Sequence, residues 1–398
     1  MNKMLTIVCL CLMLHTTAMG QCASSRYISD VFLSITVDSL LSSSVYNLKM
    51  DVYQPVGDTL SARPLIILAH GGTFVGGSRT TDVTVDSLCV RFARRGYVTV
   101  SIDYRLSTLA AMADSATAVD EVIKAVSDGK AAIRYFVKDA ATINTYKIDT
   151  NNIFIGGNSA GAVLYMHVGY LETIDECPSY IAASMAANGG FEGNSGNPGY
   201  TTKSKGIINL AGALNEPSFV GPNGKPSVNA QGDIDLVVPY NCGYPLSGIP
   251  VTLCGLGVLE PVYSANSVYH MSHVFHAMGH IPWASDAGML NTVDSMTRLF
   301  LYTLVCTGVL ATGEVKASPT ATLYPNPAGN QVSINTSADI YNITLTDQVG
   351  RIVYSANNIG LREYTFANST LTDGVYFIKI SFTDGDIVPI VRTVVIMK

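Results

Sequence analysis

Gly157-Asn158-Ser159-Ala160-Gly161 is the segment of this sequence best suited to covalent chemistry. It follows the apolar run Ile153-Phe154-Ile155 and opens a small-residue stretch, Ala160 to Tyr170, with helical character. A Gly-x-Ser-x-Gly turn between a buried strand and a helix is so tight that only glycine fits on either side of the serine. It leaves the hydroxyl exposed at the end of the strand. A hydroxyl is a poor nucleophile until a base removes its proton, and a carboxylate must hold that base in the right tautomer. The spacing therefore implies acyl transfer through Ser159, with an acid and a histidine further along the chain.

His280, in Gly279-His280-Ile281-Pro282-Trp283, is the expected base. It follows the alternating stretch Val274 to Ala277, which places the imidazole on a loop at a strand end. His270, His273 and His276 lie nearby. Val274-Phe275 and the run into the Gly-His-x-Pro turn suit a strand better than the ligand-bearing helix of common zinc sites, so no metal is expected. Asp235 is the expected acid, in Gly232-Asp233-Ile234-Asp235-Leu236-Val237-Val238-Pro239. Asp233 competes with it, and Asp286 also does, though it follows the histidine. The charge that develops on the substrate's carbonyl oxygen needs preorganised N–H donors. His70-Gly71-Gly72-Thr73-Phe74 follows a buried strand where such a loop belongs, which nominates Gly72, Thr73 and Ala160 as oxyanion donors. Phe74 and Trp283, each beside a motif, are candidate substrate-pocket residues, with packing as the alternative for Trp283.

These loops need strands and helices to carry them. Pro64 to Ala69, Tyr97 to Ile102, Asn152 to Gly156 and Ile207 to Ala211 read as strands buried on both faces. Between and beyond them, Val83–Arg94, Ala116–Asp139, Ala160–Thr173 and Leu290–Cys306 read as helices, with a break expected at Asp128-Gly129. The alternation implies an α/β fold, a mostly parallel sheet with helices on both faces. After Cys306 the pattern changes. Residues 309–320 read as a linker, and short alternating strands from Val332 to Ile396 imply a small all-β sandwich. The glycine- and asparagine-rich stretch Gly189 to Tyr200 reads as a surface loop near the site.

The chain has 398 residues, 48% of them hydrophobic and only 14% charged, enough for one large domain and a small one. A net charge of −6 and the lack of any basic run exclude electrostatic binding to nucleic acid. Residues 1–20 read as a signal peptide: Lys3, the apolar stretch Met4 to Leu14, and Ala18-Met19-Gly20 as cleavage site. No other segment reads as crossing a membrane. Six cysteines then remain, and an even number in an exported chain favours disulfides. Cys242 and Cys254 flank a Gly/Pro-rich loop and make the best local pair; Cys22, Cys89, Cys177 and Cys306 stay unassigned.

At these residues the chain resembles the α/β-hydrolase carboxylesterases whose oxyanion loop reads His-Gly-Gly-x. The resemblance runs from about Tyr27 to Gly308 and takes in Asp51-Val52-Tyr53-Gln54-Pro55, Ser101 to Leu106, Ala131 to Tyr135 and Ile148-Asp149. It departs from the usual acid loop at Gln231 and Asp233, which stand where the family has histidine and threonine, and has Thr73 where many members have a third glycine. From Leu323-Tyr324-Pro325-Asn326-Pro327-Ala328 onward the chain resembles a type A sorting domain of the type IX secretion system. Asp347 to Arg351 and Leu371 to Phe377 carry the same resemblance. Together these imply a signal peptide (1–20), a catalytic domain (21–308), a linker (309–320) and a sorting domain (321–398). They imply a secreted or surface-displayed serine esterase that needs no cofactor. Its partners would be an ester substrate and the type IX machinery. A peptidase on the same fold, or a surface binding protein without activity, remains the alternative.

Overall fold

The sheet is built from strands too apolar to face water on either side. In the computed structural model, β3 (Arg63–Ala69) and β4 (Val98–Ile102) are buried at every position. The structure describes residues 33–41, 47–55, 60–174, 177–222, 224–245, 248–306, 320–347, 351–383 and 390–398. The expected signal segment, Cys22 and residues 309–319 of the expected linker lie outside them. The chain divides into two compact units, Met1–Thr307 and Gly308–Lys398.

The first unit contains β1 (Leu33–Leu41), β2 (Asn47–Pro55), β5 (Ile148–Asn158), β6 (Gly206–Leu210), β7 (Ser227–Gly232) and β10 (His270–Phe275) alongside β3 and β4. These eight form one sheet in the order β1-β2-β4-β3-β5-β6-β7-β10. The strands from β4 through β10 pair in parallel, whereas β2 is antiparallel to both β1 and β4. Between Cys242 and Cys254 lies a short hairpin, β8 (Cys242–Gly243) and β9 (Leu253–Cys254), closed by the disulfide between those two residues. Cys306 is also disulfide-bonded, and Cys89 is a buried free thiol.

The helices are α1 (Val83–Ala93), α2 (Ser115–Ala141), α3 (Ala160–Tyr170), α4 (Ser179–Ala187), α5 (Leu256–Ala265) and α6 (Ala287–Cys306). The connection from β3 through α1 leads to β4 on one side of β3, while β5 returns to the other side. Adjacent strands whose crossovers run in opposite directions leave a crevice at their carboxyl ends, where open α/β sheets hold their ligands. The loop after β3 and the turn after β5 both enter that crevice.

The expected break at Asp128-Gly129 does not occur: α2 is continuous. The glycine is there for packing. A Cβ at Gly129 would lie 2.5 Å from Leu164 Cδ2, so the missing side chain lets α2 approach α3 closely. Asp128 is fully buried and bound by Arg105, whose Nε lies 2.9 Å from its carboxylate, and by the Ser195 hydroxyl at 2.7 Å. A polar residue inside a helix marks a tertiary partner here, not an end.

The second unit is antiparallel β: β11 (Ala321–Tyr324), β12 (Gln331–Thr346), β13 (Ile352–Ala367), β14 (Gly374–Phe382) and β15 (Ile390–Ile396) in one five-stranded sheet. The stretches read separately as Val332–Ile334 and Tyr341–Thr346 belong to a single strand, β12. Its pairing with β13 shifts register between Asn335 and Ile340. Val332, Ile334, Ile343, Leu345, Ile378, Ile380 and Val394 fill a core of its own.

Candidate active site

Ser159 stands between β5 and α3 at φ 56° and ψ −120°, a conformation that costs a non-glycine residue roughly 1–3 kcal/mol. The flanking glycines make the turn possible. A Cβ on Gly157 would fall 2.4 Å from Ala69 O, and one on Gly161 2.1 Å from the same oxygen. Helix α3 thus starts in contact with the end of β3. The Ser159 amide is anchored by donating to Leu210 O at 2.8 Å.

The structure brings three of the expected residues into one chain of hydrogen bonds. Ser159 Oγ lies 2.8 Å from His280 Nε2, and His280 Nδ1 lies 2.7 Å from Asp235 Oδ2. Because a carboxylate only accepts, Nδ1 carries the proton and Nε2 offers its lone pair to the serine. Asp235 is 3% exposed, and its Oδ1 accepts from the amides of Val237 at 2.9 Å and Val238 at 3.1 Å. His280 arrives at the end of β10, which pairs with β7, the strand that delivers the acid.

Asp233, the rival acid, is occupied elsewhere. Its Oδ2 accepts from His276 Nδ1 at 2.9 Å and its Oδ1 from the Ala277 amide at 2.7 Å. The hydrogen bond from His276 holds this half-buried carboxyl below the usual carboxylate range. Ala277 has a φ of 56° and Ile281 a φ of 44°, so the histidine loop is tightly bent. Asp233 ties that bend to the acid loop, helped by the Ile234 amide donating to Met278 O at 3.2 Å. Asp286 caps α6, accepting from the Met289 amide at 2.9 Å. His270 donates to Val268 O, and His273 packs edge-on against Phe275. Among the described residues no group of histidine, cysteine and carboxylate side chains is arranged to hold a metal.

The loop after β3 keeps an unusual backbone, with φ of 121° at Gly72, 57° at Thr73 and 61° at Phe74. A Cβ on Gly72 would collide with Gly76 O at 2.1 Å. The amides of Gly72, Thr73 and Ala160 donate to no group among the described residues. A Cβ placed on the neighbouring Gly71 would lie 3.2 Å from Ser159 Cβ, so this loop runs against the serine.

Sequence reasoning misses what holds that loop there. Asp82 Oδ2 accepts from the Gly71 amide at 2.9 Å and from Asn158 Nδ2 at 3.1 Å, while Oδ1 caps α1 through the amides of Thr84 and Val85. One carboxylate therefore joins the loop after β3, the turn after β5 and the start of α1. The legible signal is an aspartate directly before Val83, an N-cap residue by type and place. His70 stacks on Tyr104 at 4.4 Å and donates from Nδ1 to the Gly71 carbonyl at 2.6 Å. Burial holds its imidazole below the usual pKa, so it is a neutral support. Likewise Arg79 bridges Asp51 at 2.8 Å and Asp103 at 3.0 Å, which brings two of the resembling segments together.

The two expected pocket residues part company. Phe74 lines a cavity of about 100 Å³ together with Met112, Val163, Phe191, Phe219 and Leu253. Trp283 does not reach that cavity: it is 1% exposed, packs on Phe275 and donates from Nε1 to Asn158 Oδ1 at 3.3 Å. Its work is to hold the turn, the packing alternative.

Comparison with known proteins agrees with this architecture. Residues 50–212 match the family model described as BD-FAE, and residues 322–396 match the one described as Secretion system C-terminal sorting domain. Among solved structures, Thermogutta terrifontis esterase 2 phosphonylated by cyclosarin is similar. It shows 17% identity over 67% of this chain and 93% of that one, with a TM-score of 0.50. The butyrate-bound Est2 of Thermogutta terrifontis gives the same 17%, 67%, 93% and 0.50. No curated protein sequence matches the chain. The fold of the first unit matches that of an α/β-hydrolase. The chain carries a BD-FAE domain and, at its C-terminal end, a secretion sorting domain.

Proposed function

We propose that the protein is a serine carboxylic ester hydrolase, released from the cell or displayed on its surface through the sorting domain. The observation that carries the proposal is the continuous hydrogen-bond chain Ser159–His280–Asp235, with the serine held in a strained turn. In the first half-reaction Ser159 Oγ bonds to the ester carbonyl carbon while its proton passes to His280 Nε2. The amides of Gly72, Thr73 and Ala160 receive the oxyanion; one such donor is worth about 2.7–4 kcal/mol. The C–O bond to the alcohol then breaks, and the alcohol leaves with the proton from His280. Water then loses a proton to His280 and attacks the acyl carbon; the bond from that carbon to Ser159 Oγ breaks, the acid leaves, and His280 returns the proton to Oγ. Asp235 holds the Nδ1 proton throughout. These steps need no metal or organic cofactor.

The likeness to esterases supports esters over peptides as substrates. An N-terminal signal over residues 1–20, followed by the catalytic domain 21–308, the linker 309–320 and the sorting domain 321–398, completes the proposed export route, with the type IX machinery as partner. Replacing Ser159 with alanine tests the activity on a short-chain p-nitrophenyl ester. Turnover by wild type and its loss in a folded variant support the reading, and turnover that survives the change refutes it.

A further inference from the structure

We propose that Gln231 is a positioning residue for the reaction, its carboxamide holding the Asp235 turn where the carboxylate reaches His280. This role rests on Asp235 being the acid that serves His280 and Ser159. Gln231 is one of the two positions at which the acid loop departs from the resembled esterases. It lies near the end of β7, is 1% exposed, and uses both polar atoms of its side chain. Oε1 accepts from the Leu256 amide at 2.8 Å, and Nε2 donates to the Val238 carbonyl at 2.8 Å. One partner is a donor and the other an acceptor, which fixes the orientation of the carboxamide. Nε2 also faces Asp235 Oδ2 at 3.5 Å, the oxygen that takes the bond from His280.

The acid turn is closed on itself, because Asp235 Oδ1 accepts from the amides of Val237 and Val238. Those bonds would travel with the turn if it moved. Gln231 fastens the far side of the turn to the sheet. It stands level with Val274 of β10, the strand that delivers His280. One residue on, a Cβ at Gly232 would lie 2.2 Å from Met278 O, so the histidine loop leaves the sheet in contact with the same place. The other end of the carboxamide is held as well. Gly255 comes so close that a Cβ there would lie 2.7 Å from Gln231 Oε1, and Cys254 before it is tied to Cys242.

Charge decides which residue can do this. The two groups in front of Nε2, the Val238 carbonyl and the Asp235 carboxylate, are both acceptors. The position therefore demands a donor and rejects a negative charge. Asp235 is the titratable group that faces it, with His280 bonded behind. The adjoining elements contribute residues without charge: Val274 from β10, Ala211 after β6, and Gly255 and Leu256 at the start of α5. A neutral amide meets both demands at any pH.

The test compares the full wild-type chain with Gln231→Glu and Gln231→Met on p-nitrophenyl butanoate from about pH 6 to about pH 9. Glutamate keeps the shape and can still accept from Leu256. Buried beside a carboxylate, it keeps its proton near neutral pH and donates to Val238 as the amide did. Once it ionises, it repels Asp235 and the Val238 carbonyl and pushes the turn off His280. The ratio of wild-type to Gln231→Glu kcat/KM should be within about threefold near pH 6 and grow at least about tenfold by pH 9. Titration of His280 is common to both proteins and cancels in the ratio. Methionine fills the volume but makes neither bond. It should lower kcat by at least about tenfold at every pH and leave KM within about twofold, because a shift of about 1 Å in a supporting group is enough. Melting temperatures check folding, and Gln231→Glu carries the test alone if Gln231→Met does not fold. A ratio for Gln231→Glu that stays constant over this pH range, or a folded Gln231→Met within about threefold of wild type in kcat, overturns the positioning role while the esterase reading stands. Failure of wild type to cleave any ester overturns both.

Discussion

Asp235→Asn tests the acid more sharply than deletion, because asparagine keeps the shape. Its Oδ1 can still accept from the amides of Val237 and Val238, now at 2.9 and 3.1 Å. Its Nδ2 would take the place of the carboxylate oxygen that lies 2.7 Å from His280 Nδ1. Two N–H groups cannot face each other at that distance, so His280 must move its proton to Nε2. That nitrogen lies 2.8 Å from Ser159 Oγ and, once protonated, can no longer take the serine's proton. Trapping the wrong tautomer costs about 10⁴ in kcat, about 5.5 kcal/mol of transition-state stabilisation. Asp233→Asn is the control. It keeps an acceptor for Ala277 and alters only an exposed pair with His276, whose imidazole is 83% exposed. Exposed pairs contribute little, so its loss should stay below about fivefold. The assay is kcat/KM on p-nitrophenyl butanoate near neutral pH, with melting temperatures to show that both variants fold. A loss for Asp233→Asn equal to or larger than that for Asp235→Asn would refute the assignment.

Two further outcomes follow from the packing. Gly161→Ala should destabilise by about 1–3 kcal/mol and lower kcat, because the new Cβ would lie 2.1 Å from Ala69 O and 2.6 Å from His70 O, both backbone. Gly76→Ala, whose Cβ meets nothing within 4 Å, should melt like wild type, and thermal unfolding of the pair checks the argument. Burial lowers the pKa of His70 and His167, so acid should destabilise the fold. Below about pH 6.5 the unfolded chain binds protons that the folded chain refuses, and stability falls until the lowered folded values are passed. Chemical denaturation between neutral pH and pH about 4.5 should show that slope, and His167→Gln should flatten it.

Part of the fold and of the site is legible in the sequence because the residues concerned are locally constrained. Pro64 to Ala69 is apolar at every position after the proline, as a strand covered on both faces requires. Gly157 and Gly161 flank Ser159 at a spacing whose steric reason is the carbonyl of Ala69, far away in sequence. The cross-chain fasteners are not legible. Asp82 binds the segments of Gly71 and Asn158, and nothing local distinguishes it from an ordinary helix cap. Asp128-Gly129 reads as a helix break because the sequence shows neither Arg105 waiting for the carboxylate nor Leu164 needing the space. Asp235 is preferred over Asp233 in the sequence, but nothing local removes Asp233 as a rival. Which of them reaches His280 and which reaches His276 depends on the bend between Ala277 and Ile281.

The central claim, that the Ser159 hydroxyl is the activated nucleophile, is tested most directly by trapping it with a fluorophosphonate and mapping the adduct by mass spectrometry. The account predicts a single adduct on the peptide containing Ser159, abolished in Ser159→Ala and slowed by about 10³-fold or more in His280→Ala, where nothing takes the proton. Labelling at another residue, or labelling of Ser159 at an undiminished rate without His280, would contradict it.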